Sequence, residues 1–189
     1  MKVPLNPIKE RKCLLLLVRH GKAAPKNVGV SDFERVLTKT GLQESERVAA
    51  ATRDKLRSID LIVSSPADRA LETAHIFARN FKYPVQKIKL VENVYSADSI
   101  QPLIETIRNL GHITRTVAII GHNPLFDELA AYLIPGFSRT VPKSAVLGIE
   151  FEAASWIDIS QGKGNLLFFL IPANNGVQSV RRGRYAVEQ

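Results

Sequence analysis

Apolar residues fall in short blocks along this chain, and the blocks alternate with stretches in which small or apolar positions recur every three or four residues. Residues 13–18 are six apolar residues in a row, which predicts a strand buried on both faces. Leu42, Ser45, Ala49, Thr52 and Leu56 share one helical face and predict a helix over 40–57. Residues 59–63 read as the next strand. Ser65-Pro66-Ala67-Asp68 then has the form of a helix start, with Ser65 as N-cap, Pro66 at the first helical position and Asp68 closing a capping box. That helix continues through Ala70, Leu71, Ala74, Phe77 and Phe81. Residues 85–90 predict a strand; Ile100, Leu103, Ile104, Ile107 and Leu110 mark a helix; residues 116–120 predict a further strand. Asn123-Pro124 caps a helix reaching about Leu133. Beyond Pro135 the pattern changes. Residues 145–151, 156–159 and 166–171 read as strands, Gly162-Lys163-Gly164-Asn165 as a turn, and no period is visible from Ala173 onward.

This alternation over 189 residues predicts one α/β domain. Its expected form is a three-layer α/β/α sandwich on a mostly parallel sheet, with antiparallel strands added late. Ligands of such sheets bind beyond the carboxyl ends of the strands. Three predicted strands end in polar clusters: Arg19-His20-Gly21, Ser64-Ser65-Pro66 leading to Arg69, and Gly121-His122-Asn123-Pro124. In a parallel sheet all three ends share one edge, and two helix N-termini point at the same place. Free N–H groups there bind phosphate. Arginine forks onto phosphate oxygens, and neutral imidazole is a nucleophile at neutral pH. The cluster therefore predicts an anion surrounded by Arg19, Arg69, His20 and His122, with a phosphoryl group held and attacked at the Arg19-His20 strand end.

The segments Leu17-Val18-Arg19-His20-Gly21-Lys22-Ala23, Ser64-Ser65-Pro66-Ala67-Asp68-Arg69-Ala70-Leu71-Glu72-Thr73-Ala74 and Ile120-Gly121-His122-Asn123-Pro124 resemble the three signature motifs of the histidine phosphatase superfamily, whose fold is phosphoglycerate mutase-like. More narrowly, the chain is similar to the small SixA-type branch, the phosphohistidine phosphatases. Asp32-Phe33-Glu34-Arg35-Val36-Leu37-Thr38-Lys39-Thr40-Gly41 resembles that branch's loop before the first helix, with Val36 in place of the usual proline. Tyr95-Ser96-Ala97 follows Glu92 as in that branch, and Trp156, Gly164 and Pro172 sit in a similar C-terminal strand pair. The resemblance spans about residues 13–172. It divides the chain into a basic extension (1–12), a single catalytic domain (13–172) and a tail (173–189).

The resemblance implies a hydrolase that passes through a phosphohistidine on His20, with Arg19 and Arg69 neutralising the phosphoryl oxygens and His122 donating a hydrogen bond to them. It implies Glu92 as a general acid; read by itself, Glu92 is equally a solvated loop glutamate. Asp98 and Asp127 read as helix-end residues. Tyr95 and Trp156 read as packing residues, and His75 and His112 as surface residues. Zinc on His20 and His122 is the alternative chemistry, but two adjacent arginines oppose a cation, and no cofactor is expected.

Only about thirty residues separate Glu92 from His122, room for one helix and one strand. The mutases of the superfamily carry a larger helical insert there, so the resemblance implies a pocket without a lid. An open pocket admits a phosphorylated side chain on a protein. The expected substrate is therefore protein phosphohistidine, with a small phosphomonoester as the alternative. A non-catalytic phosphate-binding module on the same fold is the contrasting class. Presence of His20 argues for catalysis.

Composition adds limits. Of the net charge of +8, Lys2, Lys9, Arg11 and Lys12 against Glu10 leave +3 at the start, and Arg181, Arg182 and Arg184 against Glu188 leave +2 at the end. These read as solvated basic ends; without interleaved aromatics they do not form a nucleic-acid platform. Cys13 is the single cysteine, which rules out an intrachain disulfide and fits a reducing compartment. The apolar run 13–18 is too short for a signal core or a membrane span, so a cytoplasmic protein is expected. Oligomeric state is left open.

Overall fold

The computed structural model of the chain describes residues 12–26, 28–29, 31–111 and 113–180. Four strands form a parallel half-sheet: β1 (Cys13–Arg19), β2 (Leu61–Ser64), β3 (Lys89–Leu90) and β4 (Thr116–Gly121). An antiparallel half continues it through β5 (Val146–Phe151), β6 (Asn165–Ala173) and β7 (Gly176–Val180). The spatial order is β3-β2-β4-β1-β5-β6-β7. The helices are α1 (Lys39–Arg53), α2 (Asp68–Asn80), α3 (Asn93–Ser96), α4 (Gln101–Arg108) and α5 (Leu125–Leu133).

Strand alternation sorts the core into two layers. Leu15 and Leu17 of β1, with Val117 and Ile119 of β4, face Leu103, Ile104, Ile107, Phe126 and Leu129 of α4 and α5. Leu16 and Val18, with Ala118 and Ile120, face Val48 and Ala49 of α1 and Ala70, Ala74 and Phe77 of α2. This is the expected three-layer sandwich. Burying each of these large side chains contributes about 1.5–3 kcal/mol, which is why both faces of the central strands are apolar. Among the described residues no helix is long and apolar enough to cross a membrane.

Five local expectations are corrected. Residues 85–90 form a 3-10 turn over Val85–Lys87 and only a two-residue edge strand. Residues 156–159 are a 3-10 turn, Trp156–Asp158, because the fully buried Trp156 ring anchors itself by donating Nε1–H to Thr114 O at 2.7 Å. The sheet does not end at Pro172: β6 runs to Ala173 and turns back into β7. Helix α2 starts at Asp68 rather than beside Ser65. Ala67 is extended (φ −60°, ψ 137°), and Ser65 Oγ accepts only a 3.3 Å bond from Ala67 N–H. Likewise α5 starts at Leu125 after Pro124, and Asn123 does not cap it. The basic residues of 1–11 and 181–189, and His112, lie outside the described residues.

Candidate active site

Register aligns the three polar strand ends. Arg19 lies opposite Gly121, and Ser64 opposite Ile120. Just past the strands, His20 N–H donates to Gly121 O (2.9 Å) and Ser65 N–H to Ile120 O (2.9 Å). His20, Arg69 and His122 are thereby delivered to one edge of the parallel half. The turn after His20 is packed closely: a Cβ on Gly21 would lie 2.6 Å from Ser45 Oγ and 2.9 Å from Gly41 O. Gly21 N–H donates to Thr73 Oγ1 (3.1 Å), and that hydroxyl donates to Arg69 O (2.8 Å), so one side chain ties the turn to α2. Ser144 N–H fixes the His20 carbonyl from the other side at 3.1 Å.

The His20 ring is buried and oriented. Nδ1 lies 2.7 Å from Gly21 O, and a carbonyl only accepts, so Nδ1 carries the proton. Nε2 then holds a lone pair, which accepts from Arg69 Nε–H at 3.3 Å. Burial pushes the imidazole pKa down to about 3, with the charges of Arg69, His122 and Arg19 acting in the same direction and the Gly21 carbonyl opposing. His20 is therefore a neutral imidazole at neutral pH.

Two arginines flank it. Arg69 Nη2 binds Asp32 Oδ2 at 2.9 Å, and Arg69 Nη1 donates to the Asp32 carbonyl. Asp32 is in turn held by Arg35 Nη1 at 2.6 Å. Arg35 keeps the Asp32 carboxyl below its ordinary range, and the Arg69 charge adds to this. Arg19 Nη1 donates to Val141 O at 2.6 Å, while Arg19 Nε is buried with no hydrogen-bond partner among the described residues. Burial lowers the Arg19 pKa, with Asp127 opposing. Asp127 accepts from Val141 N–H and Asn123 Nδ2, both at 2.7 Å, so it secures the loop that holds Arg19.

His122 completes the group. Its ring centroid is 6.4 Å from that of His20. Its Nε2–H donates to Tyr95 O at 3.1 Å, and the Tyr95 ring meets it edge-on at 5.6 Å. Burial lowers its pKa, with Arg69 and Arg19 assisting and the Tyr95 carbonyl and Asp32 opposing.

The expected residues do not all behave alike. Arg19, His20, Arg69 and His122 converge. Glu92 is exposed at the start of α3, beside the end of β2 through the bond from Val91 N–H to Ser64 O (3.0 Å). Asp98 is exposed before α4. His75 is half-buried in α2 rather than on the surface. Tyr95, read as a packing residue, belongs to the site through its carbonyl and ring. Asp32, Thr73 and Val141 also belong to the site: Asp32 and Thr73 lie within segments that carry the resemblance, whereas Val141 lies in none and acts through Arg19. Among the described residues no group of three or more His, Cys, Asp or Glu side chains is placed to hold a metal ion. A pocket of about 680 Å³ opens at the opposite end of the sheet, lined by Glu150, Glu152, Asp158 and Lys163, and contains none of the converging residues.

The chain is similar to known proteins in sequence and in fold. The profile of the histidine phosphatase superfamily (branch 1) matches residues 15–94, which include His20 and Arg69. The structure assigned as phosphohistidine phosphatase SixA from Agrobacterium tumefaciens is 27% identical, with a TM-score of 0.68 over 85% of this chain and 99% of that one. The protein histidine phosphatase SixA complexed with tungstate shares the fold, with a TM-score of 0.72 at 23% identity over 85% of this chain and 98% of that one. The uncharacterized protein Rv1276c of Mycobacterium tuberculosis is 28% identical over 82% of this chain and 99% of its own length. Taken with the three aligned strand ends, these matches support placing the chain in the histidine phosphatase superfamily, on its SixA-type branch.

Proposed function

We propose that this protein is a phosphatase for phosphohistidine on a protein, acting through a covalent phosphoryl group on His20. The carrying observation is the His20 tautomer: Nδ1–H is committed to Gly21 O, so Nε2 keeps its lone pair in a pocket of cationic donors. In the first step Nε2 attacks phosphorus, the P–N bond of the substrate breaks, and the substrate imidazole leaves with that electron pair and takes up a proton. In the second, water attacks phosphorus, the P–Nε2 bond breaks, inorganic phosphate departs and His20 is restored. Charge on the phosphoryl oxygens is spread in the transition state, so preorganised donors do most of the work.

Arg69 has two of its five N–H groups left over from its contacts with Asp32 and His20; Arg19 has four left over from Val141. These are the donors assigned to the phosphoryl oxygens. His122 has its Nε2–H committed to Tyr95 O, so hydrogen-bond donation to the phosphoryl group requires a second proton on Nδ1. A bound dianion favours that proton by charge attraction. Tungstate in the related SixA structure is a tetrahedral oxyanion of the kind this donor set would hold. Glu92 is assigned the proton delivered to the leaving group, a role that matters less for imidazole than for an alkoxide.

The protein-borne substrate is favoured by the course of the chain. The described residues between Glu92 and His122 build α3, α4 and β4, and α4 packs its apolar face into the core rather than standing as a separate insert. The test is phosphate release from a phosphohistidine peptide, compared with small phosphate esters and with His20→Ala. Turnover of the peptide by wild type and not by the variant is expected. Turnover of small esters alone would overturn the substrate assignment, and equal release by both proteins would overturn the covalent route.

A further inference from the structure

A carboxylate beside a phosphoryl pocket repels the substrate, yet Asp32 reaches directly into this one. Its contact with Arg69 is not an ordinary surface ion pair. The Arg69 side chain is only 7% exposed, and Asp32 holds it twice, through the carboxylate and through its own carbonyl. With the Nε–H on His20, three points fix the plane of the guanidinium. Asp32 is itself pinned by Arg35, whose Nε donates to Ala24 O at 2.8 Å. The same loop is joined to α2 at two more places: Asp68 N–H donates to Phe33 O (3.1 Å), and Leu37 N–H to the Glu72 carboxylate (2.6 Å). All three joins are to the helix that carries Arg69.

We propose that Asp32 is a positioning residue for phosphoryl transfer: it sacrifices ground-state anion affinity to hold Arg69 in one orientation beside His20 Nε2. The inference rests on the phosphatase reading. Its logic is that binding which acts equally on ground and transition states does not raise kcat, whereas a correctly placed donor does. The charged and titratable groups around this point are Arg69 from α2, Arg35 from the loop, Arg19 and His20 from the end of β1, and His122 after β4. Asp32 is the negative member that favours a proton on His122.

Asp32→Asn keeps the shape and removes the charge. Turnover of a phosphohistidine peptide should fall about 10- to 100-fold in kcat, the scale of a misplaced catalytic donor. Binding of inorganic phosphate, followed through the His20 and His122 ring resonances, should stay level or tighten about two- to tenfold, since a like charge has gone. His122 should titrate lower. Arg35→Gln, which leaves the Asp32–Arg69 pair but releases its outer pin, should shift kcat the same way by less. A kcat within about twofold of wild type, or weakened phosphate binding in step with kcat, would overturn the proposal. Should Asp32→Asn fail to fold, Arg35→Gln decides by the same two readouts. Should the wild type release no phosphate, the phosphatase reading fails, and Asp32 is judged by the Arg69 Nε–H resonance. Its loss of exchange protection in Asp32→Asn supports positioning; its persistence overturns it.

Discussion

The two arginines of the site are held by different means. Arg69 is buried in α2 and gripped by a carboxylate and a carbonyl of one residue, with its Nε–H already on His20 Nε2. Arg19 rests at the end of β1 on a single carbonyl, and its Nε is buried without a partner among the described residues. The first is oriented at three points and keeps two N–H groups; the second is anchored once and keeps four. The difference teaches how one oxyanion pocket divides its work. On the proposed mechanism, Arg19 would supply grip on the anion, and Arg69 alignment with the line of attack.

The sharpest way to break this comparison is to remove each arginine in turn. Arg19→Ala should weaken phosphate binding by about 100-fold or more, and Arg69→Ala by clearly less while cutting kcat more deeply. Isothermal titration with phosphate beside steady-state kinetics checks the split; equal losses in both parameters would erase it. Lysine at either position should rescue poorly, because an ammonium lacks the planar fork. A smaller effect is expected one layer out. Asp127→Asn loosens the Val141 loop that holds Arg19, and should cost about tenfold in kcat/KM and about 1 kcal/mol of stability by denaturant unfolding, through loss of a charge-assisted bond.

Between the arginines, His20 gives a pH signature. Its pKa is pushed down to about 3 by burial and the surrounding cations. A depressed folded-state pKa contributes stability above the ordinary imidazole range, and that contribution is lost as pH falls from about 6.5 toward 3. By NMR the His20 ring should show no titration between about pH 8 and 5, so an acid limb of activity in that window belongs to another group. A His20 midpoint near 6.5 would contradict the burial account. The smallest effect is expected at Glu92. Glu92→Gln should change phosphohistidine hydrolysis by less than about threefold, and an alkyl phosphate, with its poorer leaving group, by about tenfold or more.

Much of this was legible in the chain because burial leaves a periodic trace. The apolar blocks of β1 and β4 mark strands covered on both faces, and the polar residues that end them mark the site edge. Arg19, His20, Arg69 and His122 could be read together for that reason. Other features leave no such trace. The edge strand β7 is half exposed and its residues show no alternation. Trp156 looks like a strand residue until its indole bond to Thr114 turns the backbone. Asp32 is a polar residue in a polar loop, and its partner Arg69 stands 37 positions away. Tyr95 acts on His122 through a main-chain carbonyl, which no side-chain pattern reports.

The central claim is that His20 Nε2 accepts the phosphoryl group, and rapid quenching of a labelled phosphohistidine substrate tests it most directly. The account predicts a burst of protein-bound label, acid-labile and mapped to His20, that rises before steady-state phosphate release and is absent from His20→Ala. Full turnover with no label on His20, or a burst of equal size in His20→Ala, would contradict it.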